Sequence, residues 1–566
     1  MSLLKHWRFV LLTLVAMTAL AAFGACGDDD DGGDDGGETA APTTGAAVEG
    51  GEITMQVSEP ESLDPHFSDF NLDITIIQMS NRGLYDLLPG GEMVPAYADD
   101  LPEVSDDGLT YTVPIKDGMT WANGEVLDAN DFVFGLKRTC NPNVAGHYQY
   151  ILTSIAGCDD YYGALGTEEE PKTPTAEEMQ ALEDAVGVSA PDDLTLEITL
   201  AQPQATFKVL LALWPTYPAP DEALGTVDAD WPAPPNTPCS GPFCVTEWTA
   251  GDHLTLEKNA SYGLTQAKLD TINLRIIDDY SVAANAYVAG ELDATRVDPA
   301  EVIVYQERPD FVIQALPITI GLEYLMTDPV VGDLNVRLAL SRATDRDLLN
   351  QVVNGSAYVP TTSWVPAEEP GANPEGAFED VIGFDEAAAK QALADAGYAD
   401  GAGFPGVSIL LIDRATDRAL GEFLQEQWNQ ILGIDVELEF VDGQTRQSRF
   451  NDSQFQVTIG GWGHDYPDAE NWLVGLYETG ASINKQLCSM PEIDAAIQTA
   501  TEEQDDEPRW NALREAEKLV VENLCGIAPL YHRGNIYMFS PDLQGVEPTL
   551  EDHFYPQFSE NWSLSQ

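Results

Sequence analysis

The sequence predicts an α/β fold built from more than one domain. The chain has 566 residues, which is more than a single hydrophobic core normally organises. Segments with the two-residue apolar alternation of half-buried strands alternate with segments of helical periodicity, and this succession is typical of α/β domains. The clearest example is a helix over 420–432, ended by Gly433, which is followed at once by a strictly alternating strand over 434–440.

The remaining elements are predicted from the same periodicities and from helix-capping residues. The predicted strands are 52–57, 109–115, 194–200, 253–257, 272–277, 455–459 and 527–531. The predicted helices are 74–88, 283–290, 508–524 and three that begin after the capping residues Asp128, Asp333 and Asp385.

The N-terminal segment predicts export. An uncharged stretch over 9–25 is short for a membrane span and ends in small residues before Cys26. Residues 23–26 resemble the bacterial lipobox, although Phe23 stands where leucine is usual. This resemblance implies a signal peptide over 1–25 and acylation of Cys26. A plain signal peptide that is cut nearby is the alternative.

Charge and composition narrow the range of partners. Residues 26–50 consist almost entirely of Asp, Gly, Thr, Ala and Pro, so we expect a disordered acidic tether there. The whole chain has 95 acidic and 26 basic residues, a formal net charge of −69. Such acidity argues against nucleic acid and anionic membrane surfaces as partners. Solubility or adaptation to salt is a sufficient explanation for it.

The cysteine count is consistent with export. The chain has seven cysteines, and removal of Cys26 by lipidation leaves an even number, which indicates disulfides. Many pairings are open, and the local ones are Cys140–Cys158, Cys239–Cys244 and Cys488–Cys525. No CxxC motif occurs and the histidines lack ligand spacing, so neither a metal site nor a cofactor is indicated.

The stretch 455–473 contains the best candidate site. We expect its strand to break at Gly460 and Gly461 and to place Trp462 and Asp465 on a turn. Glycine lets a backbone approach a ligand closely, and aromatic rings beside one carboxylate suit a cationic or amine-bearing ligand. The alternative is a surface turn with a core tryptophan.

A series of short motifs then suggests a family. In chain order they are Ser62-Leu63-Asp64-Pro65, Asp107-Gly108-Leu109-Thr110-Tyr111, Ser240-Gly241-Pro242-Phe243, Asn259-Ala260-Ser261-Tyr262, Gly290-Glu291-Leu292-Asp293, Val336-Arg337-Leu338-Ala339-Leu340, and Trp462 with Asp465. Together they cover about 50–540. This order resembles the extracellular solute-binding proteins of ABC importers, in the class that binds peptides, nickel complexes and oligosaccharides.

The resemblance implies a two-lobed fold of the type II periplasmic-binding-protein kind with an extra subdomain on the first lobe. The first lobe is expected to gather 51–88, 195–316 and 527–566. The extra subdomain is expected over 89–194 and the second lobe over 317–526.

Within the class the chain is most similar to oligopeptide binders, and this similarity assigns roles to five residues. It implies that Asp465 pairs with the peptide ammonium and that Gly461, Trp462 and Gly463 contact the peptide backbone. Tyr148 is expected to add a hydrogen bond from the opposite lobe.

One position departs from the family pattern. Some oligopeptide binders have an arginine three residues before the tryptophan, where this chain has Ile459. Arg449 is near Ile459 in sequence, but it does not match any position of the family pattern. A partner for a peptide carboxylate is therefore not identified.

The resulting expectation is a monomeric, non-enzymatic lipoprotein on the outer face of the cell membrane. It would deliver oligopeptides to ABC permease subunits and need no cofactor. Alternatives within the class are a dipeptide, a nickel complex, haem or an oligosaccharide, which His464 and Trp462 leave open. A secreted hydrolase is a remote alternative, because no HExxH, GxSxG or P-loop motif occurs. Ordinary packing is the alternative role for Trp462 and Tyr148.

Overall fold

A computed structural model describes most of the chain beyond the tether. The described residues are 47–88, 91–167, 170–220, 223, 225, 231, 234, 238–547 and 554–565. The predicted signal peptide, Cys26 and the tether up to 46 lie outside them. Within the described residues, no helix is both long enough and apolar enough to cross a membrane.

The strands form one large mixed sheet and three small sheets. In chain order they are Ala47–Val48 (β1), Glu52–Val57 (β2), Tyr85–Leu87 (β3), Met93–Pro95 (β4), Glu103–Val104 (β5), Thr110–Pro114 (β6), Val188–Asp192 (β7), Thr195–Thr199 (β8), Phe243–Thr249 (β9), His253–Lys258 (β10), Thr271–Ile276 (β11), Ala294–Arg296 (β12), Phe311–Tyr324 (β13), Val359–Pro360 (β14), Val407–Ile412 (β15), Val436–Val441 (β16), Val457–Gly463 (β17), Ile527–Phe539 (β18), Leu543–Gln544 (β19) and Ser563–Ser565 (β20). The large sheet has the order β16-β15-β17-β13-β18-β12-β2-β11-β10-β9, and β14 pairs with β18 beside this path.

The helices cover the faces of these sheets. In chain order they are Asn71–Ser80 (α1), Ala129–Thr139 (α2), Cys158–Tyr162 (α3), Ala176–Ala185 (α4), Phe207–Leu210 (α5), Tyr280–Val288 (α6), Val302–Tyr305 (α7), Leu334–Arg342 (α8), Arg346–Val352 (α9), Glu379–Ile382 (α10), Glu386–Asp395 (α11), Ala415–Leu432 (α12), Gly443–Asn451 (α13), Pro491–Glu502 (α14) and Asp506–Glu522 (α15). The predicted caps Asp128, Asp333 and Asp385 are confirmed, since each side chain accepts a hydrogen bond from a backbone N–H in the first turn.

Two long strands connect separate apolar clusters. The C-terminal cluster packs buried side chains from 322–531, and the N-terminal cluster packs side chains mainly from 74–217. A third cluster gathers 53–79, 243–294 and 537–562. β13 and β18 pair along most of their length. They run from the third cluster, and from a fourth one that packs side chains of 283–305 against Ile536 and Met538, into the C-terminal cluster. They are therefore the main covalent crossing between these parts of the structure.

Two predicted boundaries are wrong. The helix predicted over 74–88 ends at Ser80, and Tyr85–Leu87 is a strand that pairs with β4. Gly83 lies between the helix and the strand. A Cβ at this position would lie 2.5 Å from the ring of Tyr217, so the close approach of Tyr217 favours glycine there. The predicted break at Gly460 and Gly461 does not occur either, since β17 continues through both glycines to Gly463.

The six cysteines of the described region form disulfides in local pairs. They are Cys140–Cys158, Cys239–Cys244 and Cys488–Cys525. The first ties the end of α2 to the start of α3, and the last joins two chain segments inside the C-terminal cluster. These are the local pairs named from the sequence.

Candidate functional site

The strand β17 lies at the base of the candidate site. Over its whole length it pairs antiparallel with β13, but its other neighbour β15 pairs only with Val457 and Thr458. On that side no described strand accompanies 459–463, so the backbone groups that point away from β13 have no strand partner there. The carbonyl oxygen of Ile459 accepts a hydrogen bond from the Arg446 guanidinium instead. Gly461 has a packing reason of its own, because a Cβ there would lie 2.3 Å from the carbonyl oxygen of Thr319.

Asn471 holds Trp462, which lies on this edge, and Asp465, which follows it. Its Oδ1 accepts hydrogen bonds from the indole N–H of Trp462 (3.1 Å) and from the backbone N–H of Asp465 (2.9 Å). Its Nδ2 donates to Oδ2 of Asp465 at 3.0 Å. One amide therefore fixes both the indole ring and the carboxylate.

Tyr148 approaches the same carboxylate from the N-terminal cluster. Its hydroxyl lies 3.3 Å from both Oδ atoms of Asp465, which is 317 residues away in sequence. Its ring is stacked on Trp462, with centroids 6.3 Å apart and planes inclined by 15°, and it packs at 4.5 Å against Trp214. Burial, and then the charge of Asp465, raise the pKa of Tyr148, so the phenol stays protonated and donates to the carboxylate.

His464 points away from Asp465 into a different contact. Its Nδ1 lies 2.8 Å from Oε1 of Glu369, and both side chains are buried. No group of three or more His, Cys, Asp or Glu side chains suited to a metal ion occurs in the described part of the chain. The histidine thus has a carboxylate partner within the protein.

The loop after Asp465 is held between the two clusters. Tyr466 packs into the N-terminal cluster, and the hydroxyl of Thr206 donates to Oε1 of Glu470 at 2.5 Å. Arg509 binds Asp468 and Glu470 from the other side, at 2.6 and 2.8 Å. The arrangement is closed, because side chains from both clusters contact one loop.

The structure brings together three of the predicted residues and adds others. Asp465, Trp462 and Tyr148 meet at one point, and Gly461 and Gly463 lie on the adjoining strand edge. Arg449 lies elsewhere, since it pairs with Glu439 at 2.7 Å. The partners Asn471, Trp214 and Glu369 were not predicted from the sequence. No spacing pattern marks them, because their role depends on side-chain contacts made in the folded chain.

Known proteins match nearly the whole chain. The family described as bacterial extracellular solute-binding proteins, family 5 Middle, matches 92–484. The oligopeptide-binding protein OppA of Bacillus subtilis is 26% identical over 568 residues, covering 96% of this chain and 97% of the relative. The probable deoxycholate-binding periplasmic protein YgiS of Escherichia coli is 27% identical over 503 residues, covering 86% and 89%.

A solved structure agrees with these relatives. The periplasmic oligopeptide-binding protein OppAIV of Borrelia burgdorferi superposes with a TM-score of 0.80 at 26% identity, covering 91% of this chain and 99% of that one. The two-lobed type II binding-protein fold with its extra subdomain is therefore the fold of this chain. Since the family match also covers more than half of the sequence, the chain belongs to the bacterial extracellular solute-binding proteins of family 5.

Proposed function

We propose that this chain is the lipid-anchored binding protein of an ABC importer and that it captures oligopeptides between two closing lobes for delivery to a membrane permease. The observation that carries the proposal is the unaccompanied edge of β17 over 459–463, which leads to the carboxylate of Asp465. An extended peptide can add to such an edge as a further strand. The relative named as an oligopeptide-binding protein supports this choice of ligand.

The peptide backbone is assigned to Gly461, Trp462 and Gly463. In an antiparallel strand about half of the N–H and C=O groups point away from the partner strand. Those groups recur along every peptide whatever its sequence. A binding protein that uses them can therefore accept many different peptides.

The peptide ammonium is assigned to Asp465. Asn471 and Tyr148 hold this carboxylate with neutral donors, so its charge is positioned by the protein. A charge-assisted hydrogen bond from an ammonium is about twice as strong as a neutral one. Its strength increases further when the closing lobes exclude water.

The aromatic rings around Asp465 are assigned to the apolar parts of the peptide. Tyr148 is stacked on Trp462 and packs at a tilt against Trp214, so the three rings form one aromatic cluster. Such rings offer contact area without demanding fixed hydrogen bonds. This property suits a ligand whose side chains vary.

Closure is assigned to a movement about β13 and β18. The proposed first lobe contains 51–88, 195–316 and 527–566, with the subdomain 89–194, and the second lobe contains 317–526. Side chains of Ile527, Ala528, Leu530 and Tyr531 pack in the C-terminal cluster. We therefore move the predicted boundary at 527 into β18 and place the second crossing near 532–535. The register of β13 shifts between Ala315 and Ile318, and this irregularity supports our choice of that point as the first crossing.

The N-terminus is assigned to the membrane. Acylation of Cys26 would anchor the protein, and more than one acyl chain is needed for stable anchoring. The tether would then connect the anchor to a monomeric binding domain at the outer face of the cell membrane. In this role the protein has no catalytic residue and needs no cofactor.

The relative named as deoxycholate-binding offers a second ligand class. Deoxycholate has a carboxylate, which Asp465 would repel. The charge of the site therefore favours an amine-bearing ligand over an anionic one.

Native mass spectrometry of the exported chain, purified without denaturation, tests the ligand class, and we expect a set of bound masses that match short peptides. A single bound bile acid, sugar or metal complex would contradict the proposal.

Calorimetry then tests the site: Asp465→Ala should cost roughly 3–5 kcal/mol of peptide binding, as for a broken buried ion pair. Asp452→Ala, at an exposed carboxylate on the same lobe, is the matched control.

A further inference from the structure

A cavity lies beside the loop that follows Asp465 and is lined by Tyr466 and Glu470 of that loop. Its volume is about 400 Å³, and it is bounded by 150–154 and 202–210 on one side and by 466–502 on the other. This size falls within the usual range for small-molecule sites, roughly 300–1,000 Å³. The cavity is thus large enough for an organic ligand and lies between two parts of the closed arrangement.

The walls of this cavity are acidic. Glu470, Glu478, Asp494 and Glu502 line it, and among the described residues no Lys, Arg or His does. Glu470 is paired with Arg509, outside the cavity lining. The lining therefore favours a positively charged occupant.

The other three carboxylates have neutral hydrogen-bond partners. Glu478 accepts from the backbone N–H of Gly475, and Asp494 accepts from the N–H and hydroxyl of Thr479. Glu502 accepts from the amide of Gln498. These partners leave the negative charges uncompensated.

Two buried hydroxyl groups provide an independent sign of a ligand. Ser154 is 5% exposed and lines the cavity, and its Oγ has no hydrogen-bond partner in the described structure. Tyr150 also lines the cavity, and its buried hydroxyl likewise has no hydrogen-bond partner in the described structure. Buried polar groups of this kind normally have partners. A ligand with N–H donors would satisfy both.

The electrostatics of Glu478 agree with this arrangement. Burial, together with repulsion from Asp494 and Glu470, raises the pKa of Glu478, against the opposing effect of the Gly475 N–H. A cation in the cavity would reduce that repulsion. A bare metal ion fits poorly, since the described residues hold no cluster of three metal-ligating side chains.

We infer that this cavity binds an alkylammonium group. Carboxylates accept its charge-assisted hydrogen bonds, and the aromatic residues Tyr150 and Tyr466 also line the cavity. Two sources have this chemistry: a free polyamine, or the lysine side chain of a peptide bound at the neighbouring site. The second source rests on the proposed function, whereas the first does not.

Calorimetric titration of the exported chain with spermidine tests the free source. We expect binding that the double variant Glu478→Gln/Asp494→Asn weakens by roughly tenfold or more, since two charge-assisted contacts are removed. The control Asp380→Asn/Glu507→Gln removes the same charge from exposed positions outside the cavity and should leave spermidine affinity unchanged. Because the chain is so acidic, this control separates a site from general attraction.

Paired peptides that differ only by lysine or norleucine test the other source. If a peptide side chain fills the cavity, the variant loses its preference for lysine and the control keeps it. If a free amine fills it, spermidine affinity responds to the variant and the lysine preference does not. The inference is overturned if variant and control behave alike in both titrations. Failure of all peptides to bind, with spermidine binding retained, would refute the proposed function alone.

Discussion

Asn471 illustrates how much of the site depends on a residue without charge. Its amide accepts from Trp462 and from the backbone of Asp465 while donating to the Asp465 carboxylate. An amide can do this because it has both donor and acceptor atoms. It therefore sets the distance between the ring and the charge.

Replacement of Asn471 by Ala should weaken peptide binding roughly tenfold and lower the free energy of unfolding by about 1–3 kcal/mol. The indole N–H of Trp462 would lose its acceptor, and Asp465 would lose a donor. Calorimetry and urea unfolding measure the two effects. Asn429→Ala, which removes an amide contact from α12 to the carbonyl oxygen of Ile434 just before β16, should lower stability without changing peptide affinity. Equal affinity losses in both variants would contradict the role of Asn471.

His66 directly follows the motif 62–65, and its environment gives that motif a structural meaning. Asp64 binds both terminal nitrogens of Arg138 at 2.6 Å. His66 accepts from Arg138 through Nδ1 and donates to the Tyr217 carbonyl through Nε2, an arrangement of the neutral ring. Burial, and then the charge of Arg138, lower the pKa of His66 to about 4.

This pKa predicts a pH dependence of stability. Since the unfolded state binds a proton below about pH 6.5 and the folded state only near pH 4, acidification favours unfolding. The free energy of unfolding of the native chain, relative to that of a His66→Gln variant, should fall by roughly 2 kcal/mol between pH 7 and pH 5. Urea unfolding at both pH values measures it. His253→Gln should not show this trend, because the pKa of the partly exposed His253 is raised by its hydrogen bond to Asp252. A constant difference for His66→Gln would contradict a neutral buried ring.

At the scale of elements, local rules predicted helix starts better than helix and strand ends. Asp128, Asp333 and Asp385 cap their helices through hydrogen bonds to the next few residues, so their effect is readable in the sequence. The end of α1 and the continuation of β17 depend on distant pairing. Tyr217 lies against Gly83, and β13 carries the ladder past Gly461.

Replacement of Gly461 by Ala tests this explanation of β17. The new Cβ would meet the carbonyl oxygen of Thr319, a backbone atom that cannot rotate away. We expect a loss of about 1–3 kcal/mol in the free energy of unfolding, as for an overpacked core. Gly443→Ala is the control, because nothing lies within 4 Å of its new Cβ at the start of α13. A Gly461→Ala variant as stable as this control would show that the strand can move aside.

At the scale of the whole molecule, contacts between distant segments define the site. Tyr148 and Asp465 are 317 residues apart, and no periodicity of the sequence relates them. The similarity to oligopeptide binders assigned both residues to one peptide ligand, because it carries information about the complete fold, but it did not predict the hydrogen bond between them. It did not predict the interlocking of the loop, in which Thr206 reaches Glu470 across 264 residues.

That contact predicts an effect of closure on binding. If Thr206 and Glu470 meet only when the lobes are closed, Thr206→Val removes a hydrogen bond to a buried carboxylate from the closed form alone. Such a bond contributes about 1.5–3 kcal/mol, so peptide affinity should fall roughly tenfold to a hundredfold although Thr206 is not assigned to the ligand. Calorimetry measures the affinity, and small-angle X-ray scattering with saturating peptide measures closure through the radius of gyration.

The control for closure is Thr246→Val, which removes a hydroxyl contact between β9 and β10, remote from the loop. Its peptide affinity and its compaction by peptide should match those of the native chain. Native affinity in Thr206→Val would mean that the contact persists when the lobes open, and the loop would then move with the N-terminal cluster. We expect reduced peptide affinity in Thr206→Val together with normal compaction at saturating peptide. This result would couple binding to a two-state closure, because the peptide would then supply the free energy of closure that the Thr206–Glu470 contact no longer provides.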